Sequence, residues 1–245
     1  MKKYNLGFIS DKDIYEHTKN TVLKYMTYID LAEFNKNVID PIKLTFDAKV
    51  YGKTFEEIIE SECIRQIDKA NTNHIGYFHQ NLFNYVGNGW RVPDKGFDVV
   101  NDKRKIYVEM KNKHNTMNSS SGQATYMKMQ KQLLADNNST CMLVEAIAKQ
   151  SQNIVWKATL NGEKYENAKI RRVSMDKFYE IVFGDKDAFA KLCKALPDIL
   201  DDVINETHKG VIQNTVYKEL EKYSSDTFRS LYLLAFKTYE GFNRF

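Results

Sequence analysis

Within Gly96–Lys113, GFDVVNDKRKIYVEMKNK, two short apolar strands carry Asp98, Glu109 and Lys111, side chains that a plain core strand would not hold. Two carboxylates on one face repel each other, and both stay ionised at low cost only beside a compensating charge. A hard divalent cation supplies that charge, and Mg2+ takes a few carboxylate oxygens while keeping water in its shell. Lys111 beside such a water would orient it, or stabilise charge developing on a phosphorane-like transition state. The chemistry open to these residue types is metal-assisted hydrolysis of a phosphodiester.

The three groups serve one site only if the strands hold them on one face. Val99 and Val100 precede the polar tetrad Asn101-Asp102-Lys103-Arg104, after which Ile106, Val108 and Met110 alternate with Tyr107, Glu109 and Lys111. This period-2 pattern predicts a β-hairpin with the tetrad as its loop. That register sets Val100 opposite Lys105 and Asp98 opposite Tyr107, with Glu109 diagonally across from Asp98, roughly 7–8 Å between backbones. The plain alternative is a solvent-facing hairpin whose Glu and Lys are decoration.

The 245 residues are 42% hydrophobic and 28% charged, with only 3 Pro and 11 Gly, a composition that argues against disorder and flexible linkers. One domain is expected over 1–245, with a helical N-terminal segment at 1–50, a catalytic core at 51–183 and a helical C-terminal segment at 184–245. The net charge of +4 is mild, but Lys103, Arg104, Lys105, Lys111, Lys113 and His114 crowd the proposed site, and Arg171 and Arg172 form a second basic point. The cysteines, Cys63, Cys141 and Cys193, sit among apolar residues without disulfide or zinc spacing and read as reduced core thiols. No apolar run approaches the length of a membrane span, so a soluble, cytoplasmic protein is expected.

Upstream, Asp11 to Tyr28 reads as a helix, and Thr54 with Glu57 forms a capping box opening a helix whose apolar face is Phe55, Ile58, Ile59, Cys63 and Ile67. Glu62 falls on that face and needs a partner. His74 and His79 are wrongly spaced for a metal pair on one helix face. Downstream of Lys113 a polar loop, His114 to Gly122, leads into a helix from Gln123 to Ala135 with Met127, Gln130, Leu133 and Leu134 inward. Strands follow at Cys141–Ala148, Asn153–Leu160 and Ile170–Val173, then helices with a kink or boundary at Pro197. The class is α/β, a mixed central β-sheet flanked by helices.

Asp98 followed by Glu109-Met110-Lys111 resembles the PD-(D/E)XK nuclease signature. The longer runs VEMKNKHNTMNSSSG and HIGYFHQN resemble type II restriction endonucleases that cut GGNCC, over roughly Asn35 to Ala195. The literal Pro93-Asp94 pair departs from the signature, so Asp98 takes the metal-ligand role. The resemblance implies a restriction-endonuclease-like core, cleavage of double-stranded DNA, a main-chain ligand from the Met110 carbonyl, a supporting acid at Glu62, and a cognate cytosine methyltransferase as a system partner. A palindromic site implies a homodimer on DNA. Lys113, His114, Asn115, Arg171 and Arg172 are the candidates for DNA contact. Two other readings keep the same residues: a DNA-repair or junction-resolving nuclease, and a non-catalytic DNA-binding module.

Overall fold

The computed structural model describes residues 3–114, 116–160, 162–208, 211–238 and 242. In chain order the first half comprises α1 (Asp11–Lys24), β1 (Tyr28–Ile29), α2 (Leu31–Lys36), α3 (Pro41–Tyr51), α4 (Phe55–Asn81), a 3-10 turn at Leu82–Tyr85, β2 (Trp90–Arg91), β3 (Val99–Asn101) and β4 (Ile106–Lys113). Then come α5 (Ser119–Ala135), β5 (Thr140–Ile147), β6 (Asn153–Val155), β7 (Ala158–Leu160), β8 (Glu163–Tyr165), β9 (Ile170–Ser174), α6 (Met175–Phe183), α7 (Ala188–Thr207), β10 (Gln213–Asn214), α8 (Val216–Tyr223) and α9 (Thr227–Phe236).

Two compact units divide the chain, one of Met1–Leu23 with Ile75–Thr207, the other of Lys24–His74 with His208–Phe245. These divisions fall elsewhere than the segment limits at 50 and 183 read from the sequence. The first unit is built on a six-stranded mixed sheet, β2-β3-β4-β5-β9-β6. β3 and β4 form the antiparallel hairpin, while β4, β5 and β9 run parallel, and α5 makes the crossover that parallel β4 and β5 require.

Alternation along the strands splits their side chains between two cores. Ile106, Val108, Met142, Val144 and Val173 face one side, against Phe78, Phe83, Phe178, Tyr179, Leu192 and Val203. Leu143, Cys141 and Ile170 face the other side, under Tyr126, Met129 and Leu133 of α5. In the second unit, Phe34, Ile59, Cys63, Val216, Leu220 and Leu231 form a separate core, and β1 pairs in parallel with β10.

Several elements differ from the sequence reading. The first helix stops at Lys24, four residues before Tyr28. The strand expected over Asn153–Leu160 is broken at Trp156 and Lys157, so that β6 pairs with β9 while β7 forms its own ribbon with β8. Pro197 lies inside α7 without ending it. The phase of α5 is turned: Tyr126, Met129 and Leu133 are buried, whereas Met127 and Leu134 are exposed. Cys63 and Cys141 are buried, but Cys193 is exposed, which corrects its reading as a core thiol.

Candidate active site

The hairpin turn lies one residue further on than the polar tetrad suggests. Asn101 pairs with Ile106, so the turn is Asp102–Lys105 and Val100 sits opposite Tyr107, not Lys105. Asn101 is fully buried and belongs to the strand: its amide accepts from Arg104 N at 3.0 Å and donates to Asn88 O at 3.2 Å. Lys105 closes the turn with φ +53°. Relative to the expected pairing the register moves by two residues, an even step that leaves every β4 side chain on its predicted face.

Asp98 lies just before β3, where the ladder bulges. Its N–H donates to Val108 O at 2.9 Å although Val99 is already the partner of Val108, so two residues oppose one. From there the Asp98 carboxylate reaches across to β4 and Oδ2 accepts the Met110 N–H at 2.7 Å. Gln80, at the end of α4, donates to the Asp98 carbonyl at 3.1 Å. In a strand the N–H and C=O of one residue leave on the same edge, so the Met110 carbonyl also faces the side of Asp98.

Glu109 is 7% exposed. Burial, the largest influence, lifts its carboxyl above the ordinary range; the Lys128 hydrogen bond opposes this, the negative Asp98 adds to it, and the charges of Lys128 and Lys111 pull it back. Lys111 lies two residues along β4 on the same face as Glu109. Lys128 carries no motif that singles it out in the sequence. It projects from α5, pairs with Glu109 Oε1, donates to Gly96 O at 2.7 Å, and stands 4.6 Å from the centre of the Phe97 ring. The only sequence signal for it would have been the correct phase of α5.

A second polar cluster stands on this face. Glu145 of β5, opposite Lys111, is 1% exposed and accepts from Arg172 Nε at 3.0 Å. His114 Nδ1 lies 3.1 Å from both Glu145 oxygens and 2.7 Å from Arg172 Nη2. One ring nitrogen cannot donate and accept at once, and the anionic Glu145 favours a proton on Nδ1 that it can accept. Burial alone would raise the Glu145 carboxyl, but the bonds from Arg172 and His114 outweigh it and hold the group below the usual carboxylate range.

The remaining sequence candidates are distributed as follows. Lys113 is exposed at the end of β4. Arg171 and Arg172, adjacent on β9, point to opposite faces of the sheet: Arg172 joins Glu145, while Arg171 binds the Asn153 side chain at 3.0 Å. Asn115 lies outside the described residues. Glu62 belongs to the second unit, where its carboxylate takes Arg65 Nε at 2.6 Å and Gln66 Nε2 at 3.0 Å. Those are the partners that its place on an apolar helix face demanded. His79 is a buried imidazole pushed down to about 4 by desolvation and by His17.

Among the described residues no three His, Cys, Asp or Glu side chains gather as a ready metal cage. The donor set at the hairpin, two carboxylates and one main-chain carbonyl, nevertheless suits a hard cation that completes its shell with water and phosphate oxygens, and suits a soft thiophilic metal poorly.

The sequence model of the Eco47II restriction endonuclease family matches residues 6–205. The chain is 31% identical over 211 residues to the type II restriction enzyme Sau96I of Staphylococcus aureus, covering 81% of each chain. It is also 31% identical over 217 residues to the type II restriction enzyme Eco47II of Escherichia coli, covering 82% of this chain and 89% of that enzyme.

Proposed function

Since the chain belongs to the Eco47II family of restriction endonucleases and is a site-specific deoxyribonuclease, we propose that it cuts double-stranded DNA at GGNCC with Mg2+, from the Asp98–Glu109–Lys111 face of the hairpin. The observation that carries this reading is the Asp98 carboxylate bonded to the Met110 N–H on the strand that also bears Glu109 and Lys111.

Asp98, Glu109 and the Met110 carbonyl would hold the cation, which when bound supplies charge neutralisation at the scissile phosphate and an acidified water. Lys111 directs an ammonium over the same face, where it orients the attacking water and offsets charge as the phosphorus gains an oxygen. Burial of Glu109 keeps bulk water from competing for its oxygens. Lys113, His114, Asn115 and Arg172 would meet the DNA. GGNCC is symmetric about its central base, so a homodimer on DNA would read one half with each subunit. A cytosine methyltransferase acting on the same site would protect the host DNA without forming a stable complex with the enzyme.

Plasmid DNA bearing mapped GGNCC sites, incubated with protein and Mg2+, is expected to give discrete fragments ending at those sites. Nicking that follows DNA structure and not sequence would indicate a repair or junction-resolving enzyme, and binding without cleavage would remove the catalytic role from this face.

A further inference from the structure

We infer that Lys128 is a resident counter-ion of the metal site, one that a divalent cation must displace from Glu109. The inference rests on the metal-binding reading of Asp98 and Glu109 given above. Lys128 meets the site through three contacts: the Glu109 Oε1 carboxylate oxygen, the Gly96 carbonyl and the face of the Phe97 ring. Gly96 and Phe97 directly precede Asp98, so the ammonium is docked against the segment that presents the first acid as well as against the second acid itself.

The physical argument runs through Glu109. A carboxylate this buried cannot remain unpaired at low cost, and in the absence of metal Lys128 is the cation that satisfies it. An ammonium and a divalent ion drawn to the same carboxylate repel each other, so each weakens the hold of the other on Glu109. Lys128 therefore stabilises the metal-free site and weakens the binding of metal to it. Its own position favours such an exchange. The Lys128 side chain is 36% exposed, so the head can swing to solvent while its methylene stem stays on α5. In that position it also lies free to meet a DNA phosphate arriving with the metal.

The test is Mn2+ binding to the DNA-free protein, measured by titration calorimetry at one neutral pH, in wild type, Lys128→Met, Lys128→Gln, Lys128→Arg and Glu109→Gln. Lys128→Met and Lys128→Gln are expected to bind Mn2+ about tenfold more tightly than wild type, because the competing charge is gone. Lys128→Arg keeps that charge and stays within about twofold of wild type. The metal-free melting temperature of Lys128→Met should fall below that of wild type and recover on adding Mn2+. Unchanged or weaker Mn2+ binding in both neutral variants, with binding abolished in Glu109→Gln, overturns the counter-ion role alone. Undiminished binding in Glu109→Gln overturns the metal-site reading and the counter-ion role together.

Discussion

Asp98 and Met110 are joined by a 2.7 Å hydrogen bond from the Met110 main-chain N–H to Asp98 Oδ2. The acid that immediately precedes β3 is thereby fixed to the backbone of the strand that presents Glu109 and Lys111. Removal of any of these three side chains should disable the site without unfolding it. Asp98→Ala, Glu109→Ala and Lys111→Ala are each expected to lower Mg2+-dependent cleavage by about a thousandfold or more, with normal circular dichroism. Substantial turnover by Lys111→Ala would take the ammonium out of the reaction.

Metal dependence gives a second prediction. Mg2+ and Mn2+ should support cleavage, and chelation should abolish it. Ca2+ should promote specific binding without efficient hydrolysis, because its larger and looser shell places water poorly. Gel-shift and cleavage assays on the same DNA separate the two effects.

Glu145 makes a pH prediction. Its bonds with Arg172 and His114 hold the folded carboxyl below the ordinary glutamate range, so its contribution to stability is present above that range and is lost as pH falls through the lower folded value. Glu145→Gln should destabilise the protein by about 3 kcal/mol near neutrality, since it leaves Arg172 without its buried partner. Urea unfolding of both proteins should show this gap narrowing as the solution is acidified below the ordinary glutamate range. A gap that persists unchanged in acid would mean that packing and not charge is responsible.

DNA recognition gives the fourth. A side chain that reads a base should, on replacement by Ala, weaken GGNCC binding by about 1–3 kcal/mol while sparing non-specific DNA. A phosphate contact should weaken both alike and flatten the salt dependence. Lys113, His114 and Arg172 share the face of the proposed site, so their substitution should have the larger effect. Arg171, turned to the opposite face and tied to Asn153, should matter less. Equal losses for all four on specific and non-specific DNA would place base reading elsewhere on the protein.

What the sequence disclosed was mostly periodicity. The alternation from Ile106 to Lys111 is enough to put Glu109 and Lys111 on one face, and Thr54 with Glu57 does form the reciprocal capping box that its spacing predicts. Asn101 resembles a loop residue by type, whereas its buried amide spans two backbone groups and lets it end a strand, which moves the turn one residue on. The bulge at Asp98 leaves no trace in composition. Lys128 was hidden by the phase of α5: Met127 and Leu134 suggest an inward face by hydrophobicity, but Tyr126 and Met129 take the core, and only with that rotation does Lys128 reach Glu109. Arg171 and Arg172 look like a pair on paper, and a strand necessarily sends them apart.

The two units are interleaved along the chain, and this fixes the order in which the ribosome supplies them. All of Met1–Leu23 and Ile75–Thr207 has been synthesised before His208 is added, whereas the unit that contains Lys24–His74 still lacks its closing segment, including the strand that Tyr28 and Ile29 pair with. Domains generally fold as units, and every segment of the unit that carries Asp98, Glu109 and Lys111 is synthesised ahead of the segment that closes the other unit.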